Sequence, residues 1–527
     1  MAEVFLRKAS GLVREVSGKD VVFFNTGGIN AGIGLAFIFL LGPAFYPGAN
    51  HNIALILTWA FIVIQTLMYL FFTVTMPRSG GEYLYISRSL HPSIGFAMSF
   101  SYTLMMLFYS AFAANQFATM GLSSIFQSLS VKLGAPNLMN AAVFFESKLG
   151  SFVIGLAVLL GFMFVLIQKM RTLLRVQLIT FIVAILGFVA IIIALLLGSR
   201  AGFMASFNSY ASSFIQGADP YNSIIESAKA QGYVYQQGIN WSSTWNSMVW
   251  PFFALAFCAQ SASFAGEIRK VGRSQLLGTT GAMTLAAALM LVVTALAQKV
   301  VGWEFIGAIN FLTEGRGPAT PWFHFLAVLM TKNVVLWALI LLGWLAWTYY
   351  WVPVNMLYVT RVAFSWSFDR IAPAGLGKVS EKNHTPTNTV IVGTIICAVF
   401  LALIVFTPYF KTLQGIVTMT LTFVIMGISG FVFPFVKKDL FNRSPANYRI
   451  LGIPVLSILG LITAAFMAWV AYRLLADAIV GARTWQSLVF VFGQIVLGFV
   501  LFFVAKAYRK SKDGIDVMMA YREIPSE

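Results

Sequence analysis

Apolar runs of about 20 residues recur along the whole chain, and each is long enough to cross a hydrocarbon layer as a helix. Twelve runs are read, at residues 20–42, 53–76, 93–127, 151–168, 173–198, 244–266, 276–298, 333–364, 388–407, 411–436, 452–475 and 485–508. Lipid offers no partner to a free N–H or C=O, and each unsatisfied group costs several kcal/mol, so such runs must form helices. Of 527 residues, 59% are hydrophobic and 10% charged, against roughly a quarter charged in soluble domains. The expected fold class is an all-α integral membrane protein with 12 transmembrane helices.

The net charge of +17 would suit a nucleic-acid ligand. Its distribution points elsewhere: with a cytoplasmic N-terminus, most of the Lys and Arg fall on the inner side, as the positive-inside rule requires. The expected partners are therefore membrane lipid and a small-molecule substrate, with no nucleic acid, and both termini are cytoplasmic. Residues 1–19 carry Arg7, Lys8, Arg14 and Lys19 without an early apolar core, which reads as a cytoplasmic segment and not a signal peptide. Cys258 and Cys397 lie in different spans, and His51, His91, His324 and His384 lack ligand spacing. No disulfide, metal site or cofactor is expected.

Two spans contain small and polar residues at mid-depth. The first holds Asn25-Thr26-Gly27-Gly28-Ile29-Asn30-Ala31-Gly32-Ile33-Gly34, and the sixth holds Phe257-Cys258-Ala259-Gln260-Ser261-Ala262-Ser263-Phe264-Ala265-Gly266. Each begins a block of five spans. Interrupted spans at matching positions in two halves point to a transporter binding site. Five is odd, so the second block enters the membrane from the opposite side and the repeats are inverted. The expected organisation is 20–198 as the first repeat, 199–243 as an extracellular loop, 244–436 as the second repeat, 437–508 as two further spans and 509–527 as a basic cytoplasmic tail.

Unwinding at the first break would free N–H groups of Thr26, Gly27, Gly28, Asn30, Ala31 and Gly32 at the positive end of the next half-helix, where a substrate carboxylate would sit. The bland alternative for these glycines is close helix packing. At the second break, Phe253, Phe257, Cys258, Ala259, Gln260 and Ser261 would line the site, with carbonyls freed after Phe253–Phe257 facing a substrate ammonium. Candidate gates are Phe252, Tyr102, Trp347 and Glu82. Glu82 lies in Pro77–Tyr85, which reads either as a solvated loop or as an inner-gate segment packed on the bundle. Trp344, Tyr350 and Tyr109 could also line the site. The loops 199–243 and 299–332, the latter with Trp303, Glu304, Glu314 and Pro318, are long enough to act as lids.

Several fragments together resemble the amino acid–polyamine–organocation (APC) superfamily of transporters, of the amino acid permease type. They are Asn30-Ala31-Gly32-Ile33, Pro77-Arg78-Ser79-Gly80-Gly81-Glu82-Tyr83-Leu84-Tyr85, Gln260-Ser261-Ala262-Ser263 with Gly266-Glu267, Arg361 with Asp369-Arg370-Ile371-Ala372-Pro373, and Thr385-Pro386-Thr387-Asn388. They cover roughly residues 12–440 in the family's order. The resemblance implies a five-plus-five inverted repeat with broken helices 1 and 6 plus two C-terminal helices. It also implies that amides around Asn30–Gly32 hold a carboxylate and that carbonyls of Phe257 and Cys258 hold an amine. The chain departs from the family at Asn30, where relatives have Gly, at Gln260, where many have Glu, and at Lys270–Arg273.

The resulting expectation is a secondary active or exchange transporter moving amino acids or related small amines across the cell membrane by alternating access. The rivals are a same-fold transporter of a nucleobase or organic cation, and a non-transporting nutrient sensor. A membrane-embedded enzyme would need intramembrane His, Asp or paired nucleophiles, which are missing from the span interiors. Those interiors also show no clear Asp or Glu, residues 176–197 hold no Lys, and Thr348 is the one mid-span hydroxyl of the eighth. No coupling ion is read from the sequence.

Overall fold

The structure is a computed structural model, and it describes residues 14–314, 319–410, 415–477 and 482–521. Arg7, Lys8, Pro318, the first residues of the 411–436 run and the end of the tail lie outside the described residues. Among the described residues, eleven helices are long and apolar enough to cross a membrane. They are Gly18–Phe45, His51–Thr75, Pro92–Leu133, Lys148–Leu166, Met170–Leu197, Val271–Val300, Val334–Phe368, Thr387–Phe406, Ile416–Val436, Val455–Ala476 and Trp485–Asp513. Each matches one of the apolar runs. The remaining run, 244–266, is not one helix: it divides into Trp241–Asn246, Val249–Leu255 and the tightened turns Ala256–Ser263 and Ala265–Glu267.

Local chemistry sets several boundaries. Ser17 and Asp20 form a reciprocal capping box that starts the first helix. Pro92–Leu133 runs past the expected 127 because a π-helical turn at Phe117–Leu122 absorbs the irregularity and helix resumes at Ser123–Leu133. Trp485–Asp513 carries the basic residues Arg509, Lys510 and Lys512 as helix before Gly514 ends it in a left-handed cap. Met170–Leu197 and Val334–Phe368 cross where Gly187 meets Gly343: a Cβ at Gly187 would lie 2.6 Å from the Gly343 Cα. Without a hydrophobic drive between helices in lipid, such backbone approach supplies the attraction.

The bundle has two dissimilar ends. At one, the segment before residue 18 pairs with the broken segment through a Val16–Ile268 bridge, and Arg88, Asp369, Glu267 and Arg361 are buried there. At the other, the two long connections are largely helical. Arg200–Ala211 and Pro220–Ala230 pack on Trp303–Phe311 and Phe323–Met330. Tyr221 stacks on Phe305 at 4.3 Å, and Tyr233 donates to the Pro43 carbonyl at the end of the first helix.

Candidate functional site

The first break is narrower than the glycine run suggests. Gly18–Ile29 and Ala31–Phe45 are both helical, and Asn30 alone takes the left-handed conformation, with φ 50° and ψ 61°. Its N–H still donates to the Thr26 carbonyl at 3.0 Å, and its Oδ1 caps the next half-helix by accepting from Ile33 N–H at 3.3 Å. Its Nδ2 donates to the Trp347 carbonyl at 2.8 Å. Asn tolerates this conformation because a short polar side chain satisfies the backbone locally, so one residue redirects the helix and the expected unwinding over Gly27–Gly34 is replaced by a kink. The glycines serve close approach. A Cβ at Gly28 would lie 2.7 Å from the Phe257 carbonyl oxygen, and one at Gly32 would lie 2.2 Å from the Trp347 ring. Thr26 Oγ1 is used within its own helix, on the Val22 carbonyl.

The second break is broader. Ala256–Ser263 is a tight turn of helix in which Phe257 (ψ 19°) and Ala259 (φ −109°, ψ 19°) leave helical geometry. Asn25 ties this segment to the first helix: its Nδ2 donates to Ser261 Oγ at 2.8 Å and to the Gly278 carbonyl at 2.7 Å, and its Oδ1 accepts from Ser261 N–H at 3.1 Å. Ser261 Oγ then donates to Gln275 Oε1. Asn25 and Ser261 are thereby spent on holding the two breaks together. Cys258 and Ala259 are buried beside them. Gln260 keeps spare capacity. Among the described residues, its Nε2 reaches only Met106 Sδ at 3.8 Å, and its Oε1 is buried without a partner.

An aromatic cluster covers the junction. Trp351 donates Nε1–H to the Gly28 carbonyl at 2.7 Å and lies 5.8 Å from Phe253, 5.6 Å from Phe257 and 6.5 Å from Tyr109, ring centre to ring centre. Phe253 also packs on Phe37 of the second half-helix. Trp351 was not among the sequence candidates; its position one residue past Tyr350 was the available signal. On the far side of Gly32, Trp347, Trp344, Phe188 and His324 line a small apolar cavity. The structure thus brings Gly28, Asn30, Gly32, Phe253, Phe257, Gln260 and Trp347 together, with Ala31 at the start of the half-helix between Asn30 and Gly32. Phe252 turns away to Phe466, and Tyr102 packs on Tyr358 and Phe423, apart from the cluster.

Pro77–Tyr85 is a packed segment. Residues 79–89 are all buried, Gly80 N–H donates to the Ser263 carbonyl at 2.8 Å, and Ser79 bridges Phe264. The buried Arg361 grips Glu267 with two bonds of 2.7 and 3.1 Å, linking the Val334–Phe368 helix to the broken segment. Arg88 grips Asp369 likewise, at 2.7 and 3.0 Å, and Tyr83 donates to the same carboxylate. The motif residues therefore build one end of the bundle around the second break.

No curated protein sequence matches the chain. The profile of the amino acid permease family does, over residues 18–502, a stretch that holds both breaks, the packed 79–89 segment and the two buried ion pairs. The chain belongs to the amino acid permease family: it is a multi-pass membrane transport protein for a small-molecule substrate, not an enzyme.

Proposed function

We propose that this chain moves amino acids, or related small amines, across the plasma membrane by alternating access. Its broken segment Val249–Glu267 makes a twelfth crossing. The crossings are then arranged as two inverted five-span repeats (20–198 and 244–436) followed by two further spans, with residues 199–243 outside and both termini cytoplasmic. The packed 79–89 segment follows the second span at one end of the bundle, and Trp303–Phe311 with Phe323–Met330 follows the seventh at the other, as an inverted repeat requires.

The observation that carries the reading is the meeting of two interrupted helices in the bundle interior, Gly28 against the Phe257 carbonyl and Asn25 bonded to Ser261. A carboxylate suits the Ala31 and Gly32 amides at the start of the second half-helix, where the dipole is positive. An ammonium suits Gln260 Oε1, the acceptor left over at the second break. Trp351, Phe253, Phe257 and Tyr109 would cover the side chain. The same rings favour a second reading, an organic cation held by cation–π attraction.

Uptake of labelled amino acids into proteoliposomes tests the choice, with thermal stabilisation of the purified protein alongside. Saturable uptake of one or more amino acids is expected. Stabilisation by nucleobases or quaternary amines, with none by any amino acid, would overturn it; binding of amino acids without flux would make the protein a sensor.

A further inference from the structure

The span interiors read from sequence hold no acid, yet the fold carries one into the bundle. Glu82 begins the short helix Glu82–Ser89 and is 2% exposed. Its two carboxyl oxygens each accept one hydroxyl: Tyr69, from His51–Thr75, donates to Oε1 at 2.7 Å, and Tyr358, from Val334–Phe368, donates to Oε2 at 2.7 Å. The other two buried acids at this end hold bidentate arginines, Glu267 on Arg361 and Asp369 on Arg88. Glu82 has no cation among the described residues.

The titratable groups that face it from the packed elements are tyrosines and a cysteine. Tyr69 faces it from the second span and Tyr358 from Val334–Phe368. Tyr102, from Pro92–Leu133, packs 5.0 Å from the Tyr358 ring, and Cys258 of the broken segment lies beyond Tyr102. On its own helix, Arg88 and Tyr83 are committed to Asp369. From Ile416–Val436 comes the ring of Phe423. Burial pushes the Glu82 carboxyl up from its ordinary value, and the two tyrosine hydroxyls offset part of this.

We propose that Glu82 is the proton-binding group of a proton-coupled transport cycle, an inference that rests on the transport reading above. A lone buried carboxylate costs several kcal/mol, and taking a proton is the direct way to remove that cost. The exchange balances locally. In the ionised form both tyrosines donate to the carboxylate. In the protonated form Oε2–H donates to Tyr358, whose hydroxyl turns from donor to acceptor, while Tyr69 still donates to Oε1. The site gains one positive charge and keeps its two hydrogen bonds.

Coupling requires that the proton see different surroundings in different states of the cycle. Two links supply this. Gly80, two residues before Glu82, donates to Ser263 of the broken segment, and Gly81 packs on the Ser263 backbone. Tyr358 lies one helical turn before Arg361, which grips Glu267 of the same segment. A movement of the broken segment that opens this end separates both links and brings Glu82 to water. By linkage, the proton then biases that movement to the same extent that the movement biases the proton.

The test uses the full chain in proteoliposomes with a pH-sensitive dye inside. An imposed pH gradient should drive a transported amino acid above its equilibrium level in the wild type, with matching proton flux. E82Q should lose the gradient-driven accumulation by ~10-fold or more, a typical size for coupling between two sites, while substrate-for-substrate exchange persists. Y358F removes a donor to the ionised form and should shift the pH profile of uptake to higher pH; this reading survives if E82Q folds poorly. Accumulation indifferent to the gradient in the wild type, or still driven by it in E82Q, overturns the proposal while leaving transport intact. No uptake or exchange of any amino acid by the wild type overturns the transport reading and this inference with it.

Discussion

Replacing Glu267 by Gln is expected to cost about 3–5 kcal/mol, the range for removing one partner of a buried ion pair. The pair meets the conditions for the upper part of that range. Its side chains are 2% and 3% exposed, the bonds are 2.7 and 3.1 Å, and among the described residues Arg361 has one further hydrogen bond, to the neighbouring Thr360 hydroxyl at 3.3 Å. An arginine cannot shed its proton, so E267Q leaves a full charge in a water-poor interior. R361Q leaves a glutamate that can take up a proton, and its cost should be smaller and shrink as the pH is lowered. The double variant E267Q/R361Q leaves no net charge and should be more stable than E267Q alone by about 2–4 kcal/mol. Thermal unfolding of the purified protein, read as a double-mutant cycle, gives the coupling. If the double variant were as unstable as the sum of the two single ones, the pair would not be acting as a desolvated unit and the account would be wrong.

Three further outcomes follow from the same geometry. G32A should destabilise by about 1–3 kcal/mol and impair uptake, because its Cβ would lie 2.2 Å from the Trp347 ring; G161A, which meets nothing within 4 Å, should be neutral or gain up to about 1 kcal/mol from helix propensity, and equal effects of the two in a thermal-shift comparison would refute the packing role. Burial holds the His324 imidazole, outside the long helices, down from 6.5 to about 3. It is neutral in the fold while the unfolded chain protonates below 6.5, so stability is lost as pH falls from 6.5 towards 3; H324F should flatten the melting-temperature profile between pH 6.5 and 5 by roughly 1 kcal/mol per unit, and parallel profiles would sink the argument. Q260E should add a second titration to the pH profile of uptake if Gln260 lines the pathway, and a mutant profile that overlays the wild-type one would remove it from the site.

Helix positions were readable because lipid leaves one solution for a long apolar run, and eleven runs became helices within a few residues. The second break was readable for the same reason: Cys258–Ser263 put small and polar residues where a continuous helix would bury none. The first break was overread. A glycine that permits unwinding and a glycine that permits contact look alike in sequence, and only the tertiary partner separates them; Gly28 meets a carbonyl and Gly32 a tryptophan ring. Glu82 is readable as a gate candidate but not as an interior acid, because hydropathy assigns it to a connection and Pro77–Tyr85 reads equally as a solvated loop or as a segment packed on the bundle. The Glu267–Arg361 pair joins residues 94 positions apart, so no window along the chain contains both.

The two ends of the bundle are held by different forces, and this bears on how such a protein can open. At the end that carries Glu82, the contacts are directional: the Gly80–Ser263 hydrogen bond, the bridges of Val16 with Ile268 and Ser79 with Phe264, and the bidentate pairs Arg361–Glu267 and Arg88–Asp369. Buried charge pairs are screened little by salt and do not stretch gradually, because a partly separated pair has already lost its hydrogen bonds without regaining water. At the opposite end the contacts are largely aromatic, as between Phe39 and Phe323 at 4.0 Å and between Tyr221 and Phe305 at 4.3 Å. Stacked rings can slide over several ångströms and keep much of their contact. The aromatic end can therefore yield by degrees, whereas the charged end has to give way as a unit. A trigger for that unit has to act on a buried charge directly, and Glu82 is the buried acid there that has no arginine beside it among the described residues.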